Sequence, residues 1–322
     1  MSVTLVAPRA ALGPLRPLLA AWEAERRTVR HVDPDHLETV TAAGEPPAGT
    51  DAVLVVAPRA RSPRTLLTGP TVADSAGRQV PAATVPYVDD DALARFARAA
   101  ARVHRRASRS CSVGVLGQRL ARYDDLAGRV VRVLGEAARG PSPDDAVHAL
   151  RWTAYDVHRA DLARALARGP AVAVYVGHGR PTGWAGYAGL RAGHLVTEPD
   201  APVGSVLSLT CRTVSRYRTG LSFGEQLVTG GVCASVVGAV GPTLHTSNAR
   251  WVLRVAAGVG PHTTVGELVA QAAAADPGSP YRIVGDPTAP LRDDAAFDPG
   301  MPLHAAPADD LADDLEPELE VA

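Results

Sequence analysis

The sequence predicts an α/β fold built on a largely parallel sheet. Two observations lead there. Short apolar, β-branched runs recur along the chain, and amphipathic stretches at helical spacing alternate with them. A third excludes a simpler architecture: no internal repeat at solenoid period is visible.

The elements follow in order. Residues 3–7 (Val-Thr-Leu-Val-Ala) read as a short buried strand. A helix from Leu15 to Arg27 follows, with Leu15, Leu18, Leu19 and Trp22 on one face. Val53–Ala57 is a second buried strand. Residues 58–88 are rich in Pro, Gly, Thr and Arg and read as loop with short edge strands. Asp89–Asp91 opens a helix with acids in its first turn, running to Ala107. A strand at 112–117 begins a new alternation. Tyr123–Ala138 is helical, with Leu126, Val130, Val133 and Leu134 on one face, and Pro141 and Pro143 break it. A helix over Asp156–Arg168 is closed by Gly169-Pro170. Ala171–Val176, Val206–Leu209 and Val232–Val240 are strong buried strands. Helices at about 221–229, 247–257 and 264–275 alternate with them, and Tyr281–Val284 is a last short strand. From about 293 the chain turns acidic and apolar-poor, which predicts disorder.

Composition excludes several function classes. The chain has 322 residues, 46% hydrophobic and 21% charged, a foldable globular balance. Net charge is −1, so no basic field draws a nucleic-acid backbone. No apolar run reaches bilayer length, and no membrane partner is expected. The N-terminal residues lack the charged and apolar regions of a secretory signal. Three cysteines make no disulfide framework and fit no zinc spacing, so no metal or cofactor is expected and the cytoplasm is the expected compartment. All 33 basic residues are arginine, which reads as codon bias rather than mechanism.

In parallel α/β sheets, sites form where loops leave the carboxyl ends of strands. The strand 171–176 leads into Gly177-His178-Gly179, and the strand 206–209 leads into Thr210-Cys211-Arg212. Both strands are expected to be central, with their carboxyl ends side by side. A thiolate is a nucleophile and a nearby imidazole can take or give the proton. Flanking glycines allow sharp bends and close approach of a substrate. The N–H groups of Gly179 and Cys211 are candidates to face a developing oxyanion. Taken singly, the histidine reads as a surface residue and the cysteine as a small hydrophobe. At matching ends of consecutive strands, the functional reading is the better one.

These residues carry a resemblance. Tyr175-Val176-Gly177-His178-Gly179-Arg180-Pro181-Thr182-Gly183-Trp184 resembles the histidine motif of the gingipain family of cysteine peptidases, in the caspase-like clan. Leu207-Ser208-Leu209-Thr210-Cys211 is similar to its nucleophile strand. The 33 residues between His178 and Cys211 suit that family and fall short of the about 50 of caspases. Phe223–Leu227 followed by Gly231–Gly238 is similar to the helix and strand beyond the cysteine. Tyr281–Pro287 resembles the closing Gly-Asp-Pro motif. The likeness covers about 171–292, with a weaker echo at Val85–Val88.

The resemblance implies a caspase/gingipain-like fold: a mostly parallel sheet sandwiched by helices, in two α/β subdomains. These are expected at 1–107 and, with the catalytic site, at 108–292, before an acidic disordered tail at 293–322. It implies amide hydrolysis through an acyl-enzyme, with Cys211 attacking, His178 as acid/base toward the leaving amine, and Gly179 and Cys211 holding the oxyanion. In this clan the histidine need not touch the cysteine in the free enzyme. Trp251 sits where arginine-specific gingipains wall the S1 pocket, which implies substrate binding and cleavage after arginine. Its alternative reading is helix core beside Val252 and Val255. Asp124, Asp125 and Asp156 are candidates for the S1 acid. Cys111 and Cys233 read as inert core, Asp286 as a turn or cap residue, and Arg105-Arg106 as a solvated junction open to self-cleavage. A protein or peptide substrate and an activating partner are expected. Two rivals remain: a caspase-like pseudoenzyme or scaffold that binds a partner peptide without cleaving it, and a nucleotide-binding α/β protein. The second lacks a Gly-rich phosphate loop after the first strand. Whether water or an amine resolves the acyl-enzyme stays open.

Overall fold

A computed structural model describes residues 1–34, 45–137, 146–195, 201–295 and 297–298. The strands are β1 (Ser2–Val6), β2 (Thr28–Val32), β3 (Ala52–Pro58), β4 (Thr71–Ala73), β5 (Gln79–Tyr87), β6 (Ser110–Gly117), β7 (Ala146–Arg151), β8 (Val172–Val176), β9 (Gly179–Arg180), β10 (Gly183–Trp184), β11 (Val203–Ser208), β12 (Cys233–Ala239) and β13 (Tyr281–Gly285). The helices are α1 (Leu12–Ala24), α2 (Pro63–Leu66), α3 (Asp90–His104), α4 (Ala121–Ala137), α5 (Arg159–Ala167), the single turn α6 (Gly186–Gly189), α7 (Phe223–Thr229), α8 (His245–Gly258) and α9 (Val265–Ala274). One sheet runs in the order β2-β1-β3-β5-β13-β12-β11-β8-β6-β7, with β4 beside β5 and the pair β9-β10 apart.

The sheet is mostly parallel and flanked by helices. It has one reversal of direction in its main path: β12 and β13 pair antiparallel, and every other neighbour in that path is parallel. β6, β8, β11 and β12 therefore end at one edge of the sheet, and β1, β3, β5 and β13 end at the other. Strands from both expected subdomains share this sheet, because β13 pairs with β5. Apolar residues on successive positions suit strands covered on both faces. In β3, Leu54 and Val56 join the core of α1 and α3, with Leu15 and Phe96. Val53 and Val55 join a second cluster with Leu66 and Leu67.

Two stretches differ from expectation. Residues 58–88, read as loop, hold the nine-residue β5, whose interior is buried from Val80 to Pro86. Its prolines misled the reading. The ladder with β13 spans only Ala83 and Thr84, so Pro81 and Pro86 lie outside it and their missing donors leave those two rungs intact. β7 is a half-buried edge strand beside β6, and its run Ala-Val-His-Ala-Leu-Arg carries too weak an apolar signal to assign.

The far edge carries an ionic clasp. His104, at the end of α3, places Nε2 2.7 Å from Asp286 and Nδ1 3.0 Å from Glu25, which caps α1. Asp286 also accepts from the amide and hydroxyl of Thr288, and the Trp22 indole donates to Thr288 at 2.9 Å. Trp22 also lies 3.2 Å from His104 Nε2, but a ring that donates there to Asp286 cannot accept. Burial opposes charge on His104, yet Asp286 and Glu25 overcome it and raise its pKa to about 9. Burial opposes charge on Glu25 too, but His104 and Arg27 bring its pKa down to about 2. Asp286 is thus a turn residue and also a buried ion-pair partner.

Two basic and acidic positions are corrected. Arg106 is no solvated cleavage point: it is 4% exposed and donates to the carbonyls of Gly169, Pro202 and Arg292, while Arg105 is exposed. Asp293 does not begin a tail. It is buried, accepting from Ser110, Ser112 and the Ala171 amide. Residues 299–322 of the expected tail lie outside the described residues. Among those described, no helix is long and apolar enough to cross a membrane.

The clasp makes stability depend on pH. The share from His104, raised from 6.5 to about 9, is complete below about pH 6.5 and fades as pH rises through about 9. The share from Glu25, lowered from 4.5 to about 2, is complete above about pH 4.5 and fades as pH falls toward 2. We expect His104→Gln to cost about 3 kcal/mol near pH 5.5, because it leaves Asp286 buried without its cation. Thermal melts of both proteins should show the gap narrowing from about pH 6.5 to about pH 9; a gap that stays constant to pH 10 would contradict the clasp.

Candidate active site

Four strands deliver the site. β6 ends in Gln118, β8 in Gly177-His178-Gly179, β11 in Leu209-Thr210-Cys211, and β12 in Gly241-Pro242-Thr243. All four are parallel, so these loops share one edge. Within the ladder of β8 and β11, Tyr175 stands opposite Ser208. His178 and Cys211 each lie three residues beyond that pair, so their spacing of 33 is the register offset of the ladder itself.

The two loops touch through their backbones. A Cβ on Gly179 would lie 2.4 Å from the Cys211 carbonyl oxygen and 2.6 Å from Thr210 Cγ2. A Cβ on Gly177 would lie 2.3 Å from the Tyr175 hydroxyl. Only glycine fits at either place. The Thr210 hydroxyl donates to the Gly177 carbonyl at 2.6 Å, and the His178 amide donates to Gln118 Oε1 at 2.7 Å. Tyr175 stacks on Trp184 at 4.4 Å, and the Trp184 indole donates to Ser208 at 2.7 Å. Trp184 thus braces the strand ends that lead into the two loops. Among the described residues the Cys211 amide meets no acceptor, as a donor kept for an incoming oxygen would.

Around His178 the charge is positive. Arg122 Nη2 lies 2.8 Å from His178 Nε2, and the Tyr123 hydroxyl lies 3.4 Å from the same atom. Arginine has no acceptor, so Nε2 accepts and the ring proton sits on Nδ1. The Tyr123 ring stands edge-on between His178 at 5.5 Å and His245 at 5.3 Å, with Arg122 over its face at 4.8 Å. Burial and then the Arg122 charge lower the pKa of His245.

Cys211 is partly exposed, and its Sγ is met by Thr243. The Thr243 amide donates to Sγ at 3.3 Å, and the Thr243 hydroxyl lies 3.3 Å from it. The other thiols differ. Cys111 and Cys233 are fully buried, and burial pushes both far above the usual thiol range. Among the described residues no group of His, Cys, Asp or Glu could hold a metal ion.

Sequence reasoning missed Thr243, His245, Arg122 and Gln118. The signal for the first two was present: β12 is as strong a strand as β8 and β11, and its carboxyl-end loop holds both. Trp251 is a correction. It is fully buried in α8, tilts on Tyr281 at 4.6 Å and donates to Asp276 at 2.9 Å, so its ring is core and walls no open pocket. Two of the three S1 candidates are engaged: Arg151 binds Asp124 and lies 3.4 Å from Asp156. Asp125 is exposed.

The loops of His178, Cys211 and Thr243 lie within a family match that makes the chain a cysteine peptidase, a hydrolase. Residues 140–292 match the family model described as peptidase family C25. The arginine-specific cysteine proteinase gingipain R (RgpB) superposes with a TM-score of 0.66 at 12% identity, over 90% of this chain and 78% of that one. The complex of pro- and mature domains of Porphyromonas gingivalis RgpB gives 0.66 at 12% identity, over 91% and 80%. A structure described as a protease gives 0.65 at 13%, over 91% and 79%. No curated protein matches in sequence.

Thr243 should influence the thiol. Thr243→Val removes the hydroxyl contact and keeps the shape. We expect alkylation of Cys211 by iodoacetamide at neutral pH to slow about threefold, a hydrogen bond's worth. An unchanged rate would show that the hydroxyl does not assist the thiolate.

Proposed function

We propose that this peptidase cleaves peptide bonds with Cys211 as nucleophile and His178 as acid/base, through an acyl-enzyme. The observation that carries this is the register of β8 and β11, which sets a histidine and a cysteine at one edge with their loops in backbone contact. The Cys211 thiol gives its proton to His178 as its sulfur adds to the scissile carbonyl carbon, and the carbonyl π pair moves onto oxygen. The N–H groups of Cys211 and Gly179 receive that oxyanion. As the oxyanion collapses, the C–N bond breaks and His178 gives its proton to the departing amine, leaving a thioester. Water, deprotonated by His178, then adds to the thioester carbon, and the C–S bond breaks to release the acid and the thiol.

Arginine at P1 is the finer part of the proposal. Its support is the likeness to a proteinase described as arginine-specific. Among the described residues Arg151 engages Asp124 and Asp156, which makes the exposed Asp125 the candidate S1 acid. A polypeptide partner that controls the site is also proposed, since the RgpB relative is described in complex with its pro-domain. Three free cysteines suit a reducing compartment, so the cytoplasm is the proposed location.

The test is covalent. A P1-arginine chloromethyl ketone should put one adduct on Cys211, read by mass spectrometry, with Cys111 and Cys233 unlabelled because they are buried. Labelling should vanish in Cys211→Ala and fall about 1,000-fold in rate in His178→Ala. Labelling spread over all three cysteines would sink the dyad. Labelling of Cys211 by an alanyl or glutamyl probe as fast as by the arginyl one would remove the P1 assignment alone.

A further inference from the structure

A cavity of ≈ 250 Å³ opens beside the histidine loop. Arg159, Arg180, Arg191 and His194 line it, over a floor of Gly183 and Trp184, and no carboxylate lines it. Among the described residues Arg180 and Arg191 have no acidic partner. Arg159 is anchored by donating to the Ala188 carbonyl at 3.0 Å. The Arg191 amide donates to His194 Nδ1 at 3.1 Å, so the ring turns its Nε2 side to other partners. Burial and the charges of Arg159 and Arg191 lower the pKa of His194, the mark of a positive field left unbalanced.

The cavity is a built feature. Gly183 has φ +152, and a Cβ there would lie 2.0 Å from the Leu190 carbonyl oxygen. The Trp184 amide donates to that same carbonyl at 2.9 Å, and Gly183 bridges to Arg191. Ala188, which lines the cavity, and Tyr187 before it are two successive left-handed residues, at φ 54, ψ 43 and φ 57, ψ 47. Neither is glycine, so each costs about 1–2 kcal/mol, and such strain persists only where the surroundings over-determine it. Here they do: the Tyr187 hydroxyl donates to the Trp152 carbonyl, and Arg159 holds Ala188.

Its position relates it to the reacting centre. Arg180 follows His178 by two residues, so their Cα atoms lie within about 8 Å. The Ala185 amide donates to the His178 carbonyl at 2.9 Å, which closes the same hairpin. An extended peptide advances about 3.3 Å per residue, so the reach of up to about 8 Å from His178 to Arg180 spans two or three residues of a bound peptide.

We infer that this cavity is a specificity subsite that takes the carboxylate of an aspartate or glutamate in the substrate peptide, two or three residues from the scissile bond. It rests on the peptidase reading above and adds a substrate class to it. Guanidinium forks suit a carboxylate in a bidentate grip. The chain's own acidic residues, Asp309 to Glu320, present the same chemistry, and the test separates the two sources.

The experiment has two arms. In the first, a random decapeptide library is digested and the cuts are read by mass spectrometry. Asp and Glu should be enriched about tenfold over Asn and Gln at one position two or three residues from the cut. In Arg180→Glu and Arg191→Glu, both at exposed positions, that preference should disappear or turn to basic residues. Cleavage with no acidic preference would overturn the subsite and leave the peptidase reading standing. In the second arm, Cys211→Ala, full length, is titrated with a fluorescein-labelled tetraglutamate and its tetraglutamine counterpart. Tighter binding of the acidic peptide by about tenfold, lost in Arg191→Glu, supports the subsite even if no cut is seen, in which case the peptidase reading alone fails. Equal binding overturns the subsite. A third protein carries Asp309→Asn, Asp310→Asn, Asp313→Asn and Asp314→Asn. If acidic peptides bind only to it, the chain's own segment is the occupant and the substrate assignment is overturned.

Discussion

The parallel ladder of β8 and β11 is the constraint on which the site depends. Its register pairs Tyr175 with Ser208, and His178 and Cys211 both lie three residues further along. Strand pairing is all-or-none in this respect, because a one-residue slip turns every side chain to the opposite face. Both strands are buried on both sides, so the register is held by packing along their whole length. Trp184 adds a cross-check, stacking on Tyr175 of one strand and donating to Ser208 of the other. The same indole that fills space under the histidine loop thus reports the alignment of the two strands.

The reversal at β12 and β13 separates chemistry from stability. Because β13 runs against β12, Asp286 emerges at the edge opposite Thr243. The buried ionic contacts of His104, Glu25 and Asp286 gather there, where they tie α1, α3 and the chain after β13 together. A buried pair of this kind is costly to desolvate and is costly to break once formed. Keeping it away from Cys211 leaves that edge with exposed, adjustable charges. Arg106 serves the same far side by another route, donating to carbonyls instead of a carboxylate, with burial lowering its pKa to about 10.

What was legible in the sequence follows from what each signal measures. Apolar runs without alternation mark doubly covered strands, so β1, β3, β8, β11 and β12 were readable, and with them His178, Gly179 and Cys211 at strand ends. β5 was hidden because proline is scored as a breaker wherever it occurs, whereas its effect depends on which ladder it interrupts. Trp251 shows the limit of carrying a role across by position: an indole in a helix beside Val252 and Val255 had already met the requirements of core. Thr243 needed no new signal, only the same question asked of a third strand end. Arg106 could not have been placed from sequence, because its partners are carbonyls from residues 169, 202 and 292.

The charge around the catalytic edge bears on how a dyad there would work. Arg122 donates to His178 Nε2, and a guanidinium at 2.8 Å opposes an added proton on that ring. Taken alone this weakens His178 as an acid reservoir. The same positive field favours an oxyanion over a carbonyl. Among the described residues that field faces no anion in the resting site, and it gains one once negative charge develops on the substrate oxygen. The interaction is then stronger in the transition state than in the ground state, which is the condition for it to raise the rate. Arginines on this edge would thus contribute through the reaction's own charge, without having to touch the bond that breaks.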